Sequence, residues 1–181
     1  MTTRSALPRS FLFLLLTVSA GASDAASPHA TFTRLFTPIL GEWKCTIREW
    51  DGRSRKPVWQ ATQKRRFERT LNGFFVTETA LIAAEDGRDV VGGLHLFSFD
   101  GESGELRESG YWAPAAGRLF EVEAKLDADG RTFRGEMIIA TDAGTERRRI
   151  ELAMSDELTF RVYKRDDRGV EYLHEELRYT R

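Results

Sequence analysis

Apolar and polar residues alternate along most of the chain from Glu42 onward, with a period of two that is typical of β-strands with one buried face. Within residues 131 to 140, for example, Phe133, Met137 and Ile139 share one phase of the strand, and the polar residues of the opposite phase are Thr132, Arg134 and Glu136. Asp-Gly, Asn-Gly and similar turn signals interrupt this pattern at intervals of about ten residues. The pattern predicts ten strands, at residues 42 to 50, 58 to 70, 74 to 82, 90 to 99, 105 to 112, 118 to 126, 131 to 140, 146 to 154, 158 to 165 and 170 to 181.

Short connections join most of the predicted strands, so neighbours in sequence are expected to pair as antiparallel hairpins. An open sheet of this many strands would expose its apolar face and two unpaired edges. We therefore predict an all-β fold, an antiparallel up-and-down barrel of about ten strands. Side chains fill the interior of such a barrel, or a small ligand occupies it.

A different pattern precedes the first strand. Ser27 followed by Pro28 is typical of a helix N-terminus, and Gly41 marks the end of the pattern. Between them the apolar residues recur at helical spacing: Phe32, Leu35, Phe36, Ile39 and Leu40. This spacing predicts one short amphipathic helix that caps the barrel.

The first residues of the chain have the pattern of a secretory signal peptide. Arg4 and Arg9 precede an apolar run at residues 11 to 20, and small residues follow it. The alternative, a retained membrane anchor, is disfavoured because the run is about half of the ~20 residues that cross a bilayer. We therefore predict a cleaved segment and no stable membrane anchor.

These observations divide the chain into three parts: a signal peptide at 1 to 22, a mobile leader at 23 to 29 and a single barrel domain at 30 to 181. The expected location is therefore secreted or periplasmic. Cys45 is the only cysteine, so no internal disulfide can form even in an oxidising compartment.

Composition narrows the choice of partners. Hydrophobic residues make up 41% of the chain and charged residues 30%, which is close to the usual composition of globular proteins. The full chain has 27 basic and 28 acidic residues, and removal of Arg4 and Arg9 with the signal peptide leaves a net charge of −3. Nucleic acid is not expected as a partner, because no basic excess is available to neutralise phosphates.

Four segments carry a family resemblance. They are Leu40-Gly41-Glu42-Trp43, the segment from Arg69 to Phe74, the segment from Gly93 to Asp100, and the closing Tyr179-Thr180-Arg181. On these residues the mature chain resembles the calycin superfamily and, within it, a bacterial family of lipocalin-like secreted proteins of unknown function. The resemblance implies a barrel like those of lipocalins and fatty-acid-binding proteins. It also implies structural roles for Trp43 and Arg181, with the indole across the closed end of the barrel beneath the guanidinium group.

Motifs for catalysis are missing from the sequence, which lacks a nucleophile elbow, a phosphate-binding glycine loop and a zinc-binding His-Glu-x-x-His helix. Glu121 and Glu123 share a strand face with Lys125, as in a solvated ladder of charges. The basic runs at 64 to 66 and 147 to 149 have acidic neighbours, so we expect them in salt bridges on the outer wall. The protein is not expected to be an enzyme.

The three histidines are the remaining candidates for ligand chemistry. His29 falls in the predicted leader and is expected in solvent, and His174 is expected on a solvated strand face. His95 shares a face with Phe97, so its ring is expected either to meet the polar head of a ligand in the lumen or to be a core histidine. The predicted ligand-binding residues are His95, Phe97, Trp112 and Tyr179.

Three hypotheses for function follow. The leading one is a secreted or periplasmic lipocalin-like protein that binds a small hydrophobic or amphipathic molecule and needs no cofactor. The second is a haem-binding barrel of the nitrobindin type, which this fold resembles. His174 would then be the iron ligand, but only if a β-bulge turned it toward the interior face that carries Leu177. The third is a filled barrel that acts through its surface. No other metal site is expected, and the ligand and the oligomeric state stay open.

Overall fold

The computed structural model describes residues 28–112, 118–155 and 157–181. The predicted signal peptide at 1 to 22 lies outside these ranges, as does most of the predicted leader. Helix α1 begins at Pro28, so the last two residues of the predicted leader are helical. The elements are α1 (Pro28–Phe36), a 3-10 turn (Thr37–Ile39), β1 (Gly41–Trp50), β2 (Pro57–Thr70), a second 3-10 turn (Leu71–Gly73), β3 (Phe75–Ala83), β4 (Asp89–Asp100), β5 (Glu105–Trp112), β6 (Arg118–Leu126), β7 (Thr132–Thr141), β8 (Gly144–Met154), β9 (Leu158–Arg165) and β10 (Glu171–Thr180).

The ten strands form one closed antiparallel barrel in which each strand pairs with its neighbours in sequence. Pairing of β1 with β10, from Lys44 opposite Thr180 to Glu49 opposite Glu175, completes the circle. Closure leaves no unpaired strand edge, which is the reason that the alternating pattern favours a barrel. The predicted all-β barrel with one short N-terminal helix is confirmed.

Helix α1 covers the end of the barrel at which β1 begins. Phe36 is fully buried, and its ring centroid lies 6.5 Å from those of Phe97 and Phe99. Phe99 in turn contacts Phe133 edge to face at 5.6 Å between centroids. These packed aromatic side chains fill the helix-covered end of the barrel.

Trp43 and Arg181 lie at this same end. The Trp43 indole donates a hydrogen bond from Nε1 to the carbonyl oxygen of Ile39 at 2.7 Å, which ties β1 to the turn before it. The Arg181 guanidinium lies over the indole, with Cζ 4.7 Å from the ring centroid, and also donates to the carbonyl oxygen of Pro38. This is the contact that the family resemblance implies.

A β-bulge interrupts β10. Leu173 pairs with Tyr163 and Glu175 with Val162, so His174 is an extra residue without a partner in β9. A bulge changes which side chains point inward, because it breaks the strict alternation of the strand. His174 and Glu175 consequently both face the interior, where they line a cavity.

Candidate functional site

A cavity of about 400 Å³ occupies the barrel between the aromatic side chains at the helix-covered end and the opposite, distal end. Its volume falls within the range of small-molecule sites in proteins. All four of the predicted ligand-binding residues, His95, Phe97, Trp112 and Tyr179, line it. The barrel interior is therefore lined rather than filled by these side chains.

The centre of the cavity wall is a buried ion pair. The Nη1 atom of Arg65 on β2 lies 2.9 Å from Oε1 of Glu78 on β3, and both side chains are at most 3% exposed. The Tyr179 hydroxyl donates to the same Glu78 oxygen at 3.0 Å. Burial lowers the pKa of Arg65, but attraction to Glu78 and, in smaller part, to the other groups around it together leave the pKa raised. Arg65 therefore stays charged inside the barrel.

A second buried pair lies beside the first. Nδ1 of His95 on β4 is 2.8 Å from Oε1 of Glu108 on β5 and 3.6 Å from Oε2 of Glu78. Burial lowers the pKa of His95, but the Glu78 charge and the hydrogen bond to Glu108 raise it above its usual value. Burial, with a smaller contribution from the Glu78 charge, leaves the pKa of Glu108 above its usual value although the hydrogen bond and charge of His95 lower it. Arg65, Glu78, His95, Glu108 and Tyr179 together are called the inner cluster below.

Some polar atoms of the cavity wall have no partner. Within the described ranges, four buried side-chain atoms lack a hydrogen bond: Gln63 Oε1, Arg65 Nε, His95 Nε2 and His174 Nδ1. Three of these four belong to residues that line the cavity. Buried polar atoms in folded proteins are nearly always hydrogen-bonded, because an unmet group costs about 1–3 kcal/mol. Most of the buried side-chain atoms that lack a hydrogen bond in the described ranges thus belong to the cavity wall.

Aromatic rings hold the inner cluster on one side. The Phe120 ring meets His95 edge to face at 5.2 Å between centroids. It lies directly over Gly110, where a Cβ atom would stand 2.1 Å from the Phe120 ring. Gly110 separates His95 from Phe120 in the sheet, so its missing side chain allows the two rings to meet.

A second set of charged residues lines the distal end of the cavity, where β1 and β9 end and β8 and β10 begin. It consists of Glu49, Arg148, Lys164, His174 and Glu175, and is called the distal cluster below. Arg148 and Lys164 both pair with Glu146, at 2.8 and 3.4 Å.

Burial shifts two pKa values in the distal cluster. Glu175 lies opposite Glu49 in the sheet, and burial and then the Glu49 charge raise its pKa. The pKa of His174 falls to about 4, through burial and then repulsion from Lys164 and Arg148. His174 is therefore neutral at neutral pH.

Three expectations from the sequence are wrong. Arg65 and Arg148 were expected in salt bridges on the outer wall, but both face inward, because Arg65 is in phase with Phe67 and Arg148 with Ile150. His174 was expected in solvent, but the β10 bulge places it in the cavity wall.

Glu78 and Glu108 were missed as site residues. Each alternates with apolar residues of its own strand, Glu78 between Val76 and Ala80 and Glu108 after Leu106. A single carboxylate in the buried phase of a strand was the signal that could have identified them. Glu121 and Glu123, by contrast, are exposed on the outer face, as expected.

Two further findings concern the described residues alone. They contain no group of three or more histidine, cysteine, aspartate or glutamate side chains arranged to hold a metal ion. None of their helices is long and apolar enough to cross a membrane.

Comparison with known proteins supports the fold alone. No protein-family model matches the sequence, and no curated protein matches it. Among solved structures, the barrel is similar to that of Rv2717c from M. tuberculosis, with a TM-score of 0.53 and 15% sequence identity over 83% of this chain and 96% of that one. The closed ten-stranded antiparallel barrel with its helix cap fits a calycin-like fold.

Proposed function

We propose that this calycin-like barrel is a lipocalin-like binding protein that holds a small amphipathic molecule in its cavity and catalyses no reaction on it. The observation that carries this proposal is the set of unmet polar atoms in the wall of an otherwise largely apolar cavity. Binding sites of this kind combine many apolar contacts with a few oriented polar groups. A ligand oxygen beside the inner cluster would complete the missing hydrogen bonds.

The proposed pose has the polar head of the ligand at His95 and Arg65. Phe97 and Trp112 provide apolar wall beside it, and further apolar side chains such as Met137 line the rest of the cavity. The inner cluster is held by ion pairs and ring contacts before any ligand arrives. A wall ordered in advance binds more tightly because less side-chain freedom is lost on binding.

Fluorescence titration with Nile red, an uncharged dye that brightens in apolar surroundings, tests this proposal. Ile139 lines the cavity, whereas Ile138 is in the opposite phase of the same strand. We expect the native barrel to bind the dye, Ile139→Trp to lose most of that binding by filling the cavity, and Ile138→Trp to keep it. Circular dichroism checks that both variants are folded, since overpacking costs about 1–3 kcal/mol. Absence of dye binding, or equal binding by both variants, contradicts the proposal.

We also propose that the protein is exported to the periplasm or secreted. The support is the sequence pattern of residues 1 to 22, a basic start followed by an apolar run and small residues. The intact mass of exported protein should place the mature N-terminus between Gly21 and Ser27. A mass that still contains Met1 to Ala20 would overturn this proposal.

Haem binding is a second candidate function, because the β10 bulge that this role requires is present and His174 lines the cavity. The residues fit an iron ligand in two respects: the ring is neutral at neutral pH, and its buried Nδ1 atom has no partner. Neutral imidazole is a common haem ligand. His174 would hold the iron, and Trp59 and Phe160 would contribute apolar wall. Bound haem would supply an iron centre for gas binding or electron transfer.

Addition of haem to the purified protein separates the two candidates. Haem binding predicts a Soret band that shifts on mixing and is lost in His174→Ala, with His29→Ala as a matched control outside the barrel strands. If the band is the same with and without His174, the haem hypothesis is wrong. The Nile red experiment then stands on its own.

A further inference from the structure

The charged side chains of the cavity wall already neutralise one another. The wall contains the cations Arg65, Arg148 and Lys164, the histidine His95, and the carboxylates Glu49, Glu78, Glu108 and Glu175. Arg65 and His95 pair within the wall, at 2.9 Å to Glu78 and 2.8 Å to Glu108. Arg148 and Lys164 both pair with Glu146. With Glu146 counted, four basic side chains face five carboxylates, so the described wall has no excess of positive charge to balance an incoming negative charge.

The inner-cluster atoms that lack a hydrogen bond could nevertheless be paired by an oxygen atom of a ligand. Arg65 Nε always carries a hydrogen, so it can only donate. Nδ1 of His95 lies against Glu108, and because an ionised carboxylate can only accept, Nδ1 carries a hydrogen when Glu108 is ionised. His95 Nε2 then donates when the ring is charged and accepts when it is neutral. A carbonyl oxygen meets the donors, and a hydroxyl group meets both states of His95.

An ionised carboxylate at the same position would be poorly balanced. A buried charge without a partner is strongly unfavourable, and cations already paired with buried carboxylates offset little of that cost. Glu49 and Glu175 at the distal end would add repulsion. Building on the binding function proposed above, we infer that the buried end of the ligand is a neutral group with an acceptor oxygen, a carbonyl or a hydroxyl, and not an ionised acid.

Three probes with the same alkyl chain test the head group: lauric acid, methyl laurate and lauryl alcohol. Each competes with Nile red for the native protein at neutral pH and below the concentration at which it forms micelles. We expect the ester or the alcohol, or both, to bind at least about tenfold more tightly than the acid. The free-energy difference that corresponds to this ratio is a small part of the cost of burying an unpaired charge. The comparison of ester with alcohol separates a carbonyl site from a hydroxyl site.

A pair of charge variants tests whether the negative charge of the wall causes the preference for a neutral head group. Glu108→Gln removes one negative charge from the wall but keeps an oxygen that can accept from His95. Glu121→Gln makes the same change on the outer face, where the side chain is exposed. We expect Glu108→Gln to bind lauric acid severalfold more tightly than the native protein does, which reduces the preference for the neutral probes over the acid. Glu121→Gln should leave the affinity for lauric acid unchanged.

The outcomes separate the inference from the function on which it rests. If lauric acid binds the native barrel as tightly as the neutral probes, the head-group inference is wrong while the binding function stands. If neither Nile red nor any of the three probes binds, the binding function fails and the inference fails with it. The comparison in the native protein decides the inference even if Glu108→Gln does not fold.

Discussion

The guanidinium carbon of Arg65 lies 5.3 Å from the ring centroid of Trp112, although two strands separate these residues in the barrel wall. Between them in the same row of the sheet are Ala80 on β3 and Gly93 on β4. Because Ala80 and Gly93 are small, the interior face of the sheet is open between the outer two residues of the row, and the long side chains of Arg65 and Trp112 can contact each other there. The row thus places a cation against an aromatic ring in the cavity wall.

Gly93→Ala should disturb this row. A Cβ atom at Gly93 would stand 2.4 Å from Cε3 of Trp112, too close for the indole to keep its position. We expect a loss of about 1–3 kcal/mol in the free energy of unfolding, measured by urea denaturation, together with weaker Nile red binding. Gly92→Ala is the matched control, because its Cβ would stand 3.0 Å from Ile82 atoms, a milder crowding than at Gly93, and it should cost less than Gly93→Ala. Equal effects of the two substitutions would contradict this account.

Trp43 and Arg181 should differ in their contribution to stability. Trp43→Ala removes a large ring and its hydrogen bond to Ile39, so we expect a loss of about 3–5 kcal/mol in the free energy of unfolding. Arg181 is exposed, and its contact with the indole is worth on the order of 1 kcal/mol, so Arg181→Ala should cost no more than that. Urea denaturation of both variants measures the difference. Similar losses would mean that the guanidinium, rather than the ring, holds this end of the barrel.

The strands were predictable because two independent signals agree along the chain. Alternation identified the buried face, and pairs such as Asp129-Gly130 marked the turns, so the predicted strand boundaries differ from the observed ones by no more than two residues. Barrel closure could be predicted from the same pattern, because an open sheet of ten strands would leave its apolar face and two unpaired edges exposed. Alternation also put His95 on the inward face, as either a ligand contact or a core histidine, and its ring lines the cavity together with Trp112.

The polar part of the site was harder to predict. Arg65 stands between Lys64 and Arg66, and in a run of three charges alternation does not show which residue is buried unless the phase is extended from Phe67. The partner that makes its burial tolerable, Glu78, is on another strand, so pairing becomes visible only once the strands are in register. The inward position of His174 depends on a bulge, and a period of two cannot locate an extra residue.

Cys45 should be inert in the folded protein. Its side chain is fully buried, and burial raises the pKa of the thiol to about 12, so very little thiolate forms at neutral pH. We expect Ellman's reagent to react with one thiol per chain in denaturant and with none in native buffer. Rapid labelling of native protein would show that β1 opens or that the thiol is functional.

His174 should make the barrel less stable in acid. Its pKa falls from an ordinary 6.5 to about 4 on folding, so between these values the unfolded chain binds a proton that the folded chain does not. The stability that the neutral ring contributes is present above pH 6.5 and is lost as the pH falls toward 4. With allowance for the partial exposure of the ring, the loss is about 1–2 kcal/mol.

Urea denaturation of the native protein and of His174→Gln, compared across this pH range, isolates the effect of the histidine. Acidic residues with lowered pKa values, such as Asp129, titrate in both proteins, so their contribution cancels in the difference. The variant should lose less stability in acid than the native protein. Parallel curves would show that His174 is not buried in solution.

His95 should separate ligand binding from structural stability. His95→Ala removes the partner of Glu108, whose raised pKa allows it to take up a proton instead of remaining as an unpaired charge. We therefore expect a loss of only about 1–2 kcal/mol in the free energy of unfolding, well below that of Trp43→Ala. Affinity for the tightest neutral probe should fall about tenfold, because the variant lacks one of the polar atoms proposed to meet the ligand. Urea denaturation and Nile red competition on the same preparation measure both quantities. If His95→Ala unfolds the protein as severely as Trp43→Ala and leaves the probe affinity intact, then His95 is a core histidine and the ligand head lies elsewhere in the cavity.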